Sequence, residues 1–365
     1  MTTLADDLTI TRVPVPTSLD APESADLLAM IGVLNTALEH DLGMDHLRWE
    51  PSEVLPSWQD QTDRHLSGFV ARRGGRAVGA LQLTAPTEPG ATELEFDLLV
   101  LPGDRGTGIE EALMEVLLDH ARSLGRDRVQ TYTLHRPDAP GAPIASPTGF
   151  GAISADAHTA LLTRHGFRLR QVERNSAYDL TADPARARAM LAQAQAVAGD
   201  DYRLITWTAP TPEHHRAGFA GVISRMATDV PSGGMTFTEE HWDAERVVRR
   251  DARMRAGGLT VSVAAVEHVP SGTLAAYNEL TIGADHSRPT HQWGTLVLRE
   301  HRGHRLGTIV KCANILRWRE LVPASPMITT FNAEENRPML DVNEAVGFRP
   351  LTFAGAWQLD VGAPA

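Results

Sequence analysis

The stretch Leu298–Lys311, LREHRGHRLGTIVK, is the most basic run in a chain of 365 residues whose formal net charge is -12. It places Arg302, His304, Arg305 and Lys311 around Gly303 and Gly307, where the apolar run TLVL gives way to a helical pattern. The local reading is strand, turn, helix. Glycines in such a turn let the backbone approach a ligand closely. The N–H groups and dipole of the following helix favour an anion there. A nucleic-acid patch, a solvated helix face and a seat for a small phosphorylated ligand all fit a basic run. The acidic balance of the chain repels polyanions at long range, which argues against nucleic acid and against an anionic membrane surface.

The stretch also decides the organisation, because it belongs to a repeat. LLVLPGDRGTGIEEALMEVLLDHARSLGRDRVQTYTL from Leu98 aligns without gaps on TLVLREHRGHRLGTIVKCANILRWRELVPASPMITTF from Thr295. Leu99, Val100, Leu101, Arg105 and Gly106 fall on Leu296, Val297, Leu298, Arg302 and Gly303. Both copies then reach a Gly-Phe-Arg step, at Gly166 and Gly347, and end in short β-like runs, NSAYDL and AGAWQLD. Before the turn each copy has a strand (Leu8 to Pro14; Tyr202 to Thr208), a helix pair and a hairpin. Gly74-Gly75 and Pro270-Ser271-Gly272 are the hairpin turns, and Glu239 to Arg255 is the clearest amphipathic helix. HRPDAPGAPIASPTGFGAISAD reads as an irregular loop. The organisation expected is an N-terminal domain over 1–181, a linker helix over 182–201 and a C-terminal domain over 202–365. Each is of mixed α/β (α+β) class, with a mostly antiparallel central sheet flanked by helices.

Composition bounds the setting. At 42% hydrophobic residues, two domains of this size can each bury a core. The single cysteine, Cys312, lies in an apolar helical pattern and reads as a buried thiol, which excludes a disulfide framework. The N-terminus MTTLADDLTITRVPVPTS lacks a basic region followed by an apolar core, and no run of about eighteen apolar residues could span a bilayer. A soluble, cytoplasmic protein is the expectation. Lys311 is the only lysine. His286, His291, His301 and His304 match no tight ligand spacing, so no metal is expected. The turn lacks the G-K-[ST] of a Walker loop, and it comes too late in the domain for a dinucleotide fingerprint. Trp207 and Trp318 read as core, and Trp242 or Trp293 as an acceptor-pocket wall.

Strand, two helices, hairpin, a strand ending in Arg-Gly-x-x-x-Gly at a helix start, an Asn-bearing helix and Gly-Phe together resemble the GNAT family of N-acetyltransferases. The doubled arrangement is similar to that of its tandem-domain members, such as mycothiol synthases. The resemblance implies acetyl-CoA as acyl donor. The turn Arg302, Gly303, His304, Arg305, Leu306, Gly307 and Thr308 would hold the pyrophosphate. Val297 and Leu298 would contact pantetheine in a gap where neighbouring strands splay. Asn332 and Asn336, on TFNAEENRPMLDVNEAVGF, would bind the pantetheine arm, with an N-cap as the competing role for Asn332. The family's general base is commonly a Glu of the central strands, here Glu279 with Tyr277 on the same face two residues before. An exposed strand carboxylate is the rival reading of Glu279.

The family's usual tyrosine acid falls at Asn343 and, in the first copy, at Leu162, so neither copy has it. Tyr277 or water would then help the thiolate leave. The first copy carries Glu110 where the second has Gly307, and a carboxylate there either mimics or repels a phosphate. It also has no asparagine on its later helix and no carboxylate at the place of Glu279.

The resemblance therefore implies an acetyl-CoA-dependent N-acetyltransferase acting on a small primary amine in its C-terminal copy, beside a degenerate N-terminal copy. A non-catalytic acyl-CoA sensor or scaffold and a protein-lysine acetyltransferase are the alternatives. The partners implied are a small-molecule amine and neither nucleic acid nor membrane. A monomer and a homodimer both stay open.

Overall fold

The computed structural model describes residues 7–361. In chain order the first repeat holds β1 (Leu8–Arg12), α1 (Ser24–Leu42), α2 (Pro51–Gln59), β2 (Arg64–Arg73), β3 (Arg76–Pro86), β4 (Glu93–Val100), α3 (Ile109–Ser123), β5 (Arg128–His135), β6 (Pro143–Ala145), β7 (Ala152–Ser154), α4 (Ala157–Arg164) and β8 (Arg168–Asp179). After α5 (Ala185–Ala198), the second holds β9 (Tyr202–Thr208), α6 (Glu213–Ser224), α7 (Met226–Asp229), α8 (Ala244–Ala256), β10 (Thr260–His268), β11 (Thr273–Ile282), β12 (Thr290–Val297), α9 (Leu306–Leu321), β13 (Met327–Ala333), α10 (Arg337–Val346) and β14 (Arg349–Asp360).

Local chemistry accounts for the main elements. Gly74 and Gly75 both take positive φ, as a two-residue turn between β2 and β3 requires. The helix expected from Glu239 begins at Ala244. There Asp243 is extended and its side chain accepts the Arg246 N–H, a cap that fixes the start and leaves residues 239–243 outside. The expected irregular loop contains a small hairpin, β6 with β7, in which Ile144 pairs with Ile153. Ile153 is buried in the main core of its unit, giving that hairpin an apolar anchor that Pro and Gly content alone does not reveal.

The chain forms two compact units. The first takes in residues up to Glu173, Ser232–Thr238 and the stretch from Thr352 on; the second takes in Arg174–Pro231 and Glu239–Leu351. The first unit's sheet runs β1-β2-β3-β4-β5-β14, and the second's β8-β13-β12-β11-β10-β9. Each repeat's closing strand thus serves the other unit: β14 pairs antiparallel with β5 from Phe353↔His135 to Asp360↔Arg128, whereas β8 stands beside β13. The sequence reading closes each repeat with its own last run. It errs here because an apolar, β-prone run specifies that it is a strand and leaves its partner open. The linker helix is integral to the second unit, since Ala194 and Ala198 of α5 are buried with Leu306, Ile309, Val310 and Ala313 of α9.

Within the second unit the sheet has one face under α6 and α8 and the other under α9. Trp207, Phe219, Val247, Val263, Tyr277 and Leu296 fill the first side. Leu280, Cys312, Ile315, Trp318 and Phe348 fill much of the second. Cys312 is buried, as its pattern indicates. Trp318 is fully buried and its Nε1–H donates to Thr290 Oγ1 at 2.7 Å, so the indole packs without stranding its polar atom. Among the described residues no helix is long and apolar enough to cross a membrane.

Candidate active site

In the second unit β12 and β13 run parallel but pair only through Thr290↔Ile328 and His291↔Thr329. β12 continues to Val297 and β13 to Ala333, so beyond His291 the two strands part. On its other edge β12 pairs with β11, and there the register slips between Asn278 and Leu280. Asn278 faces Thr295 and Leu280 faces Gln292, leaving Trp293 and Gly294 together opposite Glu279. Two residues against one is a β-bulge, which bends the strand and re-aims its side chains. The equivalent pairing in the first unit, Gly79↔Val100 to Thr84↔Glu95, is unbroken.

The turn follows the free end of β12. Gly303 has φ 92°, and a Cβ on it would meet nothing within 4 Å, so the backbone faces open space. Arg305 has φ 60°, the only positive-φ residue other than glycine among those described. It stands where the first repeat has Gly108, at φ 87°. Holding an arginine in this region costs on the order of 1 kcal/mol. The gain is an exposed cation at the start of α9, whose N-terminus has no side-chain cap. Leu306 and Thr308 are buried, while Gly303, His304 and Arg305 are exposed. Arg302 donates from Nε to Val297 O at 3.3 Å and from a terminal nitrogen to Asp229 O at 3.3 Å. Both acceptors are main-chain carbonyls. Lys311, one turn further along α9, is fully buried and does not face the turn.

The matching turn in the first unit is filled by its own acids. Arg105 makes the same bond, Nε to Val100 O at 3.0 Å, but its two terminal nitrogens go to both oxygens of Asp41 at 2.8 and 2.9 Å. Glu110 Oε1 accepts the Gly106 N–H at 3.0 Å. Glu110 thus occupies one of the N–H groups that an anion at this turn would use. The first unit does hold exposed carboxylates on β4, Glu95 and Asp97, and Asp97 pairs in register with Gln82, the residue at the place of Glu279.

On the α6/α8 face, Tyr277 and Glu279 point the same way from β11. Glu279 is 1% exposed, which rules out an exposed strand carboxylate. Its Oε1 is paired with Arg250 of α8, and its Oε2 is buried without a hydrogen-bond partner. Burial raises the Glu279 pKa, Arg250 opposes that rise, and the nearby Asp251 charge adds to it. The Tyr277 ring packs edge-on to Phe219 at 5.5 Å and lies across Gly294, where a Cβ would come within 2.5 Å of the phenol oxygen. Burial raises the Tyr277 pKa, so the phenol keeps its proton. His291 pairs in register with Thr281, which shares the face of Glu279. Burial lowers the His291 pKa to about 4, and the ring is neutral at pH 7. Trp293, at the bulge, is 50% exposed, whereas Trp242 is partly buried with the Arg246 guanidinium 4.5 Å from its ring centre.

The asparagines sit apart from the turn. Asn343 of α10 donates from Nδ2 to Asn332 Oδ1 at 2.7 Å and leaves its own Oδ1 buried without a partner. Asn332 lies in β13 and is no helix cap; Asn336 precedes α10, and its main-chain oxygen accepts from Met339 and Leu340. An amide has no proton to give at neutral pH, so Asn343 is not the thiolate acid.

These features, a strand pair that parts, a bulge beside the parting, and a turn onto a helix N-terminus, occupy a fold found in other proteins. The pattern of the Acetyltransferase (GNAT) family matches residues 35–140. A tandem GNAT protein from the clavulanic acid biosynthesis pathway is 24% identical, with 98% of this chain and 100% of that chain covered at a TM-score of 0.75. The chain has the tandem GNAT fold. A GCN5-related N-acetyltransferase from Sphaerobacter thermophilus superposes with a TM-score of 0.63 at 15% identity, over 100% of this chain and 98% of that one. The glucosamine N-acetyltransferase region of a fungal multi-domain GH3 beta-N-acetylglucosaminidase does so at 0.60 and 14% identity, over 97% of this chain and 38% of that one. No curated protein matches the sequence.

The family whose pattern matches residues 35–140 is one of acetyltransferases, and acetyl-CoA is the acyl donor of that family. The family pattern falls on the first repeat, whose turn is closed by Glu110 and Asp41, while the open turn, the bulge and the buried Glu279 belong to the second. Sequence reasoning passed over Arg250, Gln292 and Asn278. A charged residue inside the amphipathic run VVRRDAR was the available sign of Arg250. For the two amides there was none, because polar side chains in a strand look alike whether they face solvent or a buried partner.

Proposed function

We propose that the second unit transfers the acetyl group of acetyl-CoA to a small primary amine, and that the N-terminal repeat is degenerate as a cofactor site. The observation that carries this reading is the contrast between the two turns. Gly307 leaves open what Glu110 fills, and Arg302 is bound to carbonyls where Arg105 is bound to Asp41. The residues fit the cofactor's chemistry. Arg302 and Arg305 would supply charge-assisted bonds to a pyrophosphate, and the N–H groups from Gly303 to Gly307 lie at a helix start, that of Thr308 being already bonded to Arg305 O. Val297 ends β12 well beyond its last pair with β13, and the main chain there and at Leu298 would run beside pantetheine. Asn332, in β13 past its last pair with β12, and Asn336, just before α10, would bind the pantetheine arm.

The amine nitrogen must lose a proton to attack. We assign that role to Glu279, whose Oε2 is orphaned while Oε1 is held by Arg250, acting directly or through water. The nitrogen forms its bond to the acetyl carbon as the C–S bond breaks, and the sulfur leaves as thiolate. A thiol of ordinary pKa near 8.5 departs with modest help, and Tyr277, which holds its proton and lies against Gly294 at the bulge, would be the donor. The elevated pKa of Glu279 makes the rate rise with pH through that value, since only the deprotonated carboxylate can act. Thiol release from acetyl-CoA with a panel of small amines tests the proposal: turnover that is lost in Glu279→Gln supports it, and CoA binding without turnover of any amine would favour a sensor.

A further inference from the structure

On the α9 side of the second sheet runs a buried chain of polar side chains that the acetyl-transfer chemistry above does not use. Lys311 is fully buried, its Nζ donates to Gln292 Oε1 at 3.1 Å, and it stands 5.5 Å from the Phe348 ring. Phe348 belongs to the apolar cluster that also holds Leu280, Cys312 and Ile315. Gln292 Oε1 also accepts from Asn278 Nδ2 at 2.9 Å, and Gln292 Nε2 donates to Thr330 Oγ1 at 2.8 Å. Asn278 is held in turn by Thr295 and by Asn314, which binds Ser262. A well-packed leucine or methionine at 311 would avoid the desolvation of an amine. Burial lowers the Lys311 pKa from 10.5 to about 7, with only the Cys312 thiol acting against that fall. A group kept at such a cost to packing calls for a task.

Position supplies one. β12 and β13 last pair at His291 and Thr329, so Gln292 and Thr330 are the first residues beyond, and their side chains tie the strands where they begin to part. A primary amide has an acceptor end and a donor end. Lys311 and Asn278 both point donors at one end of Gln292, which must therefore be the oxygen. The NH2 is turned the other way, and after Thr330 takes one N–H a second is left at the foot of the split. We propose that Lys311 is a positioning residue for the acyl donor, fixing the Gln292 amide so that an N–H is presented to a carbonyl of the acylated pantetheine arm between β12 and β13. This rests on the reading of the split as the acyl-CoA site.

The test is calorimetric titration of the full chain with acetyl-CoA, with the melting temperature of every variant recorded. Gln292→Glu keeps the shape, gives Lys311 an ion-pair partner and still accepts from the Thr330 hydroxyl, but has no N–H to offer. It should weaken acetyl-CoA binding about tenfold or more while the protein stays as stable. Lys311→Met should weaken binding by a similar factor without lowering the melting temperature, and should raise the KM for acetyl-CoA and not that for the amine. Because the two act through one contact, the double variant should bind no worse than Gln292→Glu alone. Parent-like affinity in Gln292→Glu, or losses that simply multiply in the double variant, would overturn the positioning role. Failure of the parent itself to bind CoA would instead refute the proposed function, so the two outcomes are separable.

Discussion

Lys311→Met should stabilise the protein, and by an amount that depends on pH in a fixed sense. The native amine has a pKa of about 7, against an ordinary value of 10.5. Below pH 7 both folded and unfolded chains carry the proton, and the full penalty of a buried ammonium is present. Between pH 7 and 10.5 the unfolded chain binds more protons than the folded one, so parental stability rises with pH. The span between about 7 and 10.5, at about 1.4 kcal/mol per pH unit, is on the order of 5 kcal/mol. Methionine fills a similar volume and carries no charge, so the variant escapes the penalty. Its advantage should be largest at and below pH 7 and shrink toward pH 10. The Cys312 thiol, pushed up to about 12 by burial, works in the opposite sense above its ordinary value, but it is common to both proteins and largely cancels in the difference. Denaturant unfolding of parent and variant at pH 6.5, 8 and 9.5 measures the effect; for a domain of this size each kcal/mol corresponds to roughly 2–4 °C in Tm. A stability difference that is flat with pH, or a variant less stable than the parent at pH 7, would refute the reasoning.

Other expectations follow from the same geometry. Arg302→Glu places a carboxylate among the N–H groups of the turn and removes bonds worth about 1.5–3 kcal/mol each, so CoA affinity should fall at least about tenfold; parental CoA binding should also weaken as salt is raised. Glu279→Gln should lower turnover by about two orders of magnitude and flatten the rising limb of the pH–rate profile, with CoA affinity little changed; an unaltered profile would assign the base elsewhere. Arg305→Gly relieves the left-handed arginine and should hold or raise the melting temperature by about the equivalent of 1 kcal/mol while weakening CoA binding. Gly294→Ala drives a methyl against the Tyr277 phenol and should cost about 1–3 kcal/mol of stability, which thermal unfolding reads directly.

What the sequence made legible was local or repeated. The turns at Gly74-Gly75, the strand Tyr202–Thr208 and the helix that starts at Leu306 each follow from a few neighbouring residues, and the alignment of Leu98 with Thr295 gave the doubled architecture. The exchange of β8 and β14 was not legible, because strand partnership is a long-range choice among similar apolar edges. Nor was the bulge at Trp293 and Gly294, which depends on register against β11. The same distance hid the pairing of Arg250 with Glu279, 29 residues apart, and the meeting of Lys311 with Gln292, 19 residues apart. The basic run around Arg302 was correctly seen as a turn with cations, but Lys311 belongs to the interior, since on α9 it falls on the face buried against the sheet.

The central claim, that the second repeat holds the acyl donor and the first does not, is tested most directly by the CoA stoichiometry of Gly307→Glu. A Cβ at 307 would meet only Val297 Cγ2 at 3.6 Å, so the substitution fits the fold, and it gives the second turn the residue that closes the first. The carboxylate then opposes the pyrophosphate in a partly desolvated turn. Calorimetry should find one CoA per chain in the parent and none in Gly307→Glu, with the melting temperature of the free protein retained. One CoA still bound per chain in Gly307→Glu would place the site in the first repeat and contradict the account.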